Sequence, residues 1–460
     1  MNNHMWTLAG PLAGALCLAL LPGAIQGQSS GQSRILEGES LTLAQAVALA
    51  LDTHPAIGQA NAAGQVAGAR VKQARSAWLP TLAGQGSLAR YQEPMVVAPL
   101  HGFDLMNPPS FDQNLVQGAL SMGYTLFDGG ARGGRILQAE AGERYVEAGG
   151  MDARMGVTAQ VSAAYLGILS GEELLTAVLG QKAALSAESE RVSLFLEEGK
   201  AARVDLLRVE AALSRIAAQE ISARADVELA RNRLARLTGL EADAVRGLAL
   251  TPVSPAGGFV PDHDLALASA RETNPGLVRA REELAGAKAG ISVASAAWLP
   301  KVEANGRYAD FGTLDGGHVQ EWQGALQISY PLFTGGARKS ERDRAVAEER
   351  RVSEALRLTE MVVEDEVETA LATVREARAL RVALELAAEQ SEEVARIEAL
   401  ALEAGAGVQT DFLRAQAELF QARASLSQAR HGEILALIQV AQVRGDLSLE
   451  WIQENMEMVR

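Results

Sequence analysis

Cysteine is all but missing from this chain. Its 460 residues contain one, Cys17, inside an apolar N-terminal run. That excludes a disulfide framework and a thiolate metal site. Aromatic residues make up 4% of the sequence, and no basic cluster offsets a formal net charge of −15. A surface for tracking phosphates or stacking bases is therefore lacking, which argues against a nucleic-acid partner. The six histidines are scattered, with no second histidine three or four residues on. No His-Glu-x-x-His, nucleophile elbow or dinucleotide fingerprint occurs. Residues 129–134 have the glycine density of a phosphate loop but lack its Lys-Ser/Thr. The expectation is no enzyme activity, and no catalytic, cofactor-binding or metal-ligating residue.

Long apolar runs are also lacking, with one exception. Leu8 to Leu21 is apolar but shorter than the ~20 residues of a membrane-spanning helix. Small residues follow, and Ile25 and Gly27 fit the −3 and −1 positions of a cleavage site. Residues 1–27 thus read as an export signal, although no Lys or Arg precedes the apolar run. Leu16 before Cys17 disfavours lipidation there. An exported chain without a spanning helix is either soluble in the periplasm or crosses a membrane as a β-barrel.

What the chain does have is a duplication. Ala77-Trp78-Leu79-Pro80 returns as Ala297-Trp298-Leu299-Pro300, and His54-Pro55 as Asn274-Pro275, both at an offset of 220. Tyr124-x-Leu126-Phe127-x-Gly129-Gly130-x-Arg132 returns as Tyr330-x-Leu332-Phe333-x-Gly335-Gly336-x-Arg338, at an offset of 206. Gly199 and Gly405, and Asp205 and Asp411, keep the offset of 206. The difference of 14 residues lies between Trp78 and Phe127, where Glu93-Pro94, Pro99, His101-Gly102 and Asn107-Pro108-Pro109 predict a long loop over about 92–112. The expected organisation is a 28–40 linker, a first repeat over 41–245, a 246–262 linker, a second repeat over 263–447 and a 448–460 tail. Each repeat reads as a helix, a strand pair (about 79–127 and 299–333) and a helix hairpin (about 130–238 and 337–444).

Period-two alternation marks the strands. Val116, Leu120, Met122, Tyr124 and Leu126 alternate with Gln117, Ala119, Ser121, Gly123 and Thr125. Trp322, Leu326 and Ile328 alternate with Gln323, Gln327 and Ser329, and Lys301, Glu303, Asn305 and Arg307 with Val302, Ala304, Gly306 and Tyr308. Alternation alone fits a membrane-barrel strand and a soluble sandwich strand equally well. Two observations favour the barrel. Trp78, Tyr124, Phe127, Trp298, Tyr330 and Phe333 gather at the strand ends, where an interfacial girdle would lie. And four strands per chain cannot close a barrel, since small barrels need about eight; three copies would supply twelve.

From Gly130 to about Leu196, and from Ala337 to about Leu402, the sequence is free of proline and compatible with helix. Each stretch would span roughly 100 Å. The turns at Gly199-Lys200 and Gly405-Ala406 would reverse each into a second helix, and Gly129-Gly130 and Gly335-Gly336 mark the strand-to-helix junctions.

These motifs, in order and twice over, resemble the TolC-like outer-membrane efflux protein family over about 41–447. The resemblance implies a mainly α fold with a membrane β-barrel. The protomer would be internally duplicated, with long antiparallel coiled-coil helices and two β-hairpins. Its trimer would form a 12-stranded barrel and a helical periplasmic tunnel. It implies an outer-membrane location and a channel passing substrate from an inner-membrane pump and a periplasmic adaptor to the exterior, in efflux or type I secretion. The other reading is a soluble periplasmic coiled-coil adaptor or scaffold. The turns Gly199, Lys200, Gly405 and Ala406 would face the adaptor. Asp411 matches an acidic position that rings the constriction in relatives, and Asp205 one that helps hold their closed state. The basic partner expected near the second turn falls at Gly407, so Asp411 and Arg414, with Asp205 and Arg208, are the candidates for new pairs across or between protomers. The alternative is that these charges are solvated residues at helix starts.

Overall fold

The computed structural model describes residues 40–101, 106, 108–257 and 262–458. The signal segment 1–27 with Cys17, linker residues 28–39, residues 102–105, Asn107, 258–261 and 459–460 lie outside the described residues.

The first half runs β1 (Ser40–Leu41), α1 (Leu43–Thr53), α2 (Pro55–Ser76), β2 (Thr81–Val96), β3 (Phe111–Phe127), α3 (Ala131–Glu197) and α4 (Arg203–Thr238). The connection holds α5 (Ala242–Gly247), β4 (Ala249–Leu250) and β5 (Val253–Pro255). The second half runs α6 (His263–Thr273), α7 (Pro275–Ala296), β6 (Lys301–Thr313), β7 (His318–Ser329), α8 (Ala337–Glu403) and α9 (Gln409–Arg444). The chain closes on α10 (Leu449–Asn455) and β8 (Met456–Met458). Paired helices have equal lengths: 11, 22, 67 and 36 residues in each half. The 67-residue helices are roughly 100 Å long.

Local chemistry explains where the helices begin and end. His54 and Asn274 are the N-caps of α2 and α7, each followed by a proline in the first helical turn. That proline has no N–H to leave orphaned and its φ already suits a helix. The helices α4 and α9 end on Gly239 and Gly445 with φ of 70° and 84°. Beside each glycine a threonine hydroxyl from the other end of the repeat donates to the last carbonyls: Thr53 to Thr238 O at 3.0 Å, and Thr273 to Arg444 O at 2.6 Å. Thr53 and Thr273 are 220 apart and their acceptors 206 apart, so each half is stapled shut in the same way.

The core lies around the middle of the long helices. Val161, Tyr165, Leu166 and Ile168 of α3 pack with Val47, Leu234, Val367, Val374 and Ile438. The Tyr165 hydroxyl, fully buried, lies 2.7 Å from Leu41 O and 2.8 Å from Thr251 O. Burial raises its phenol well above the ordinary range. It thereby joins the ends of β1 and β4, which pair in parallel. The segments read as a linker and a tail are structured: β5 pairs with β8, and Ile452 of α10 is buried in the core. Strands of two or three residues carry no readable period, which is why the sequence did not mark them.

Four strands form one antiparallel sheet in the order β2-β3-β6-β7. The long loop is shorter than proline density suggests, because β2 continues through Glu93-Pro94 to Val96. Pro94 is tolerated because it lies on an edge strand, inside a register irregularity between Arg90 and Met95. In the second half β7 stops at Ser329, before Pro331, so Tyr330 and Phe333 lie just beyond the strand.

Candidate functional site

The register sorts the sheet residues into two faces. Leu88 faces Val116, Leu82 faces Met122, Leu120 faces Tyr308, and Tyr308 faces Trp322. Ala304 faces Leu326, and Val302 faces Ile328. All share one face, and Leu82, Leu88, Leu120, Trp322, Leu326 and Ile328 are each at least 64% exposed. The other face pairs Gln85 with Ala119, Ser121 with Arg307, Gly123 with Asn305, and Glu303 with Gln327. An apolar face this large in water is a liability; against lipid it is required. The polar face overhangs a hollow of about 780 Å³ lined by Thr81, Thr125, Lys301, Glu303, Asn305 and Arg135 among others. Both outer edges, on β2 and β7, have no strand partner among the described residues.

Where sheet passes into helix, the two repeated motifs meet in one joint. The Arg132 guanidinium lies 4.1 Å from the centre of the Trp78 ring. It donates to Ala77 O at 3.3 Å and Leu126 O at 3.2 Å, and its backbone N–H donates to the Asp128 carboxylate at 2.9 Å. Only 4% of Arg132 is exposed. The second joint is looser. Arg338 lies 4.8 Å from Trp298 and 5.6 Å from Tyr330, with one long bond to Leu332 O at 3.4 Å. The position equivalent to Asp128 is Thr334, which offers no charge. The sequence pointed to these tryptophans for their place at the strand ends; it did not reveal that each is the platform for the arginine closing the second motif. Trp78 is 49% and Trp298 44% exposed. Of the other candidate interfacial aromatics, Phe127 and Phe333 are exposed and Tyr124 half-buried.

The glycines of the joint are required by conformation. Gly129 and Gly130 have φ of 69° and 91°, Gly335 and Gly336 of 60° and 85°. Gly129 is also hemmed in: a Cβ there would approach Ala296 O to 2.5 Å, whereas nothing crowds Gly335.

At the opposite end the helices reverse in matching turns. Gly199 and Gly405 both have φ of 72°. Lys200 and Ala201 donate to Phe195 O, as Ala406 and Gly407 donate to Ala401 O. Asp205 lies in the first turn of α4 and Asp411 in that of α9. Asp205 pairs with Arg208 at 3.4 Å within its own helix, and Arg414 with Glu418 at 2.9 Å within its own. Asp411 has no ion pair among the described residues, so within the chain Asp411 and Arg414 do not meet. Lys200 pairs with Glu198 at 2.6 Å.

The second hairpin leans on the first through α3 and α9. Val178, Leu185 and Ile216 form a small core joined by Leu413 and Phe420. Nearer the middle, buried Glu433 accepts from Arg378 at 3.1 Å and Arg381 at 2.6 Å, and the Ser427 hydroxyl donates to Glu173 at 2.6 Å. The positions equivalent to Arg381, Ser427 and Glu433 are Leu175, Ile221 and Val227, so this polar seam exists on one side only. Nothing in the local sequence flags it, since scattered charges on a helix usually face water.

Comparison with known proteins adds four findings. The model of the outer membrane efflux protein family matches residues 46–240 and 266–446. The alkaline protease secretion protein AprF of Pseudomonas aeruginosa is 26% identical over 320 residues, covering 64% of this chain and 63% of that one, so the match spans less than two thirds of AprF. Outer membrane protein TolC of Vibrio cholerae is 26% identical over 314 residues, covering 64% of this chain and 69% of its own. Among solved structures, the outer membrane protein VceC of Vibrio cholerae superposes with a TM-score of 0.74 at 18% identity, over 88% of this chain and 96% of that one.

Proposed function

The chain belongs to the outer membrane efflux protein family, and we propose that it is the outer-membrane channel-tunnel of a tripartite export system, built from three copies of itself. The observation that carries this reading is the sheet: apolar on one face, polar on the other, open at both edges and continuous with helix hairpins roughly 100 Å long. Backbone N–H and C=O groups on an open edge cannot face hydrocarbon. Three copies bring twelve strands, enough to close a barrel around water. The long helices continue that wall into the periplasm as a tunnel. A soluble periplasmic scaffold, the other reading of the sequence, would leave Leu82, Leu88, Trp322 and Leu326 in water to no purpose.

In this reading the hairpin turns at Gly199-Lys200 and Gly405-Ala406 meet a periplasmic adaptor, which links the channel to an inner-membrane pump. Residues 1–27 direct export and are removed. Asp411, without an ion pair among the described residues, would meet its copies near the axis and favour cations there, while the Asp205–Arg208 and Arg414–Glu418 pairs lie within α4 and α9 beside the turns. Purified protein added to a planar bilayer should produce stepwise ion currents, and in cells it should fractionate with outer membrane as a heat-modifiable oligomer. A soluble protein that carries no current contradicts the reading.

A further inference from the structure

The duplication does more than repeat elements: it transfers strand register. In the first hairpin, ten consecutive pairs run from Thr81↔Gly123 to Arg90↔Asn114. Adding 220 to the β2 partner and 206 to the β3 partner gives Lys301↔Ser329 through Asp310↔Gln320. Those are the pairs that β6 and β7 make. The two offsets, carried outside the strands by Trp78 and Trp298 and by Gly199 and Gly405, thus predict one hairpin from the other without a slip.

The four-stranded sheet contains one further strand contact, the seam between halves, where β3 pairs with β6 from Gly118↔Asp310 to Gly123↔Asn305. Its pseudo-equivalent would join β7 to a β2, and among the described residues both of those strands have an open edge. Moving the seam by the same offsets turns β3 positions into β7 positions (+206) and β6 positions into β2 positions (−220). We infer that β7 of one copy pairs antiparallel with β2 of the next in the register Gly324↔Arg90, Ala325↔Ala89, Leu326↔Leu88, Gln327↔Ser87, Ile328↔Gly86 and Ser329↔Gln85. The inference rests on the three-copy reading above and specifies the surface through which the copies join.

Three further observations agree with it. Every pair joins like faces: Leu326 and Ile328 meet Leu88 and Gly86 on the apolar side, and Gln327 meets Ser87 on the polar side. A slip by one residue would set apolar against polar throughout. The span stops at Arg90, before the irregularity at Arg90–Met95, so no bulge intervenes. And the helices below follow the same order: α2 packs on α3, α3 on α7 and α7 on α8, leaving α2 and α8 at the two edges. At the internal helix seam a Cβ on Gly286 would lie 3.8 Å from that of Ala141. The same transfer sets Val66 of α2 against Ala347 of α8. Val66, 53% exposed in the single chain, would be covered there.

Cysteine pairs test the register. With Cys17→Ser as background, Ala325→Cys is combined with Ala89→Cys or Ser87→Cys, and Gln327→Cys with Ser87→Cys or Ala89→Cys. All four positions lie on the polar face, away from lipid. Directly opposed Cβ atoms lie about 4.5–5.5 Å apart and diagonal ones about 7–8 Å, and a disulfide needs about 3.5–4.5 Å. On oxidation of the detergent-extracted protein, 325/89 and 327/87 should shift the boiled, denatured band from monomer to dimer and trimer. The combinations 325/87 and 327/89 should stay monomeric. If the diagonal combinations link as well as or better than the opposed ones, or if no combination links while light scattering shows a trimer, the register is wrong. If light scattering shows a monomer before oxidation, the three-copy reading itself fails.

Discussion

At the scale of single residues, the two joints between sheet and helix are a natural experiment. Arg132 is buried, stacked on Trp78, bonded to two carbonyls and faced by Asp128. Arg338 has Trp298, Tyr330 and one long bond. Arg132→Ala is expected to cost about 2–4 kcal/mol, from lost charged hydrogen bonds, unpaired carbonyls and a lost ring contact. Arg338→Ala should cost clearly less. The thermal midpoint of oligomer dissociation, followed by heat-modifiable migration, compares them; equal losses would mean that Asp128 and burial contribute nothing. The glycines separate in the same way. A left-handed backbone costs an L-residue about 1–2 kcal/mol, which both Gly129→Ala and Gly335→Ala incur. Only Gly129→Ala also drives a Cβ into Ala296 O, so it should dissociate at the lower temperature of the two. At the tip, Asp411→Asn should move the reversal potential of bilayer currents toward anions, while Arg414→Ala, whose charge is already engaged by Glu418, should move it little. Unchanged current and selectivity in Asp411→Asn would remove it from the constriction.

At the scale of elements, Tyr165 ties α3 to the ends of β1 and β4, and this gives a pH dependence with a definite sign. Its folded pKa is raised by burial above the unfolded value of about 10. The folded state therefore holds the proton more tightly, and the contribution is complete below that value and lost as pH climbs above it. The thermal midpoint should fall above pH about 10, and Tyr165→Phe should flatten that fall while costing about 1 kcal/mol at neutral pH. A Tyr165→Phe protein with an unchanged alkaline profile would contradict this. Much of the element structure was legible beforehand. Absence of proline marked α3 and α8, whereas the His54-Pro55 and Asn274-Pro275 steps were legible only as a repeat, and their capping of α2 and α7 is seen in the fold. What could not be read needed contacts between distant residues. Thr53 and Thr273 look like ordinary helix-end threonines until Thr238 and Arg444 come beside them. Pro94 reads as a loop residue unless its strand is known to be an edge. The Arg378–Arg381–Glu433 seam breaks the repeat without leaving any local trace.

At the scale of the whole molecule, residues 40–458 form a wall with two unfinished sides. The sheet ends on β2 and β7, the helix layer on α2 and α8, and the apolar face of the sheet is exposed. The internal seam between β3 and β6 shows how such sides join, because each half already treats the other as its neighbour. In the three-copy reading, six halves related in this way close a ring of twelve strands, more than the about eight of the smallest barrels, whose interiors side chains fill, and so with room for water inside. The most direct test is native mass spectrometry of the protein extracted from membranes in mild detergent. The account predicts one species with three times the mass of the processed chain. A monomer, or a different stoichiometry retained across detergents, would contradict it.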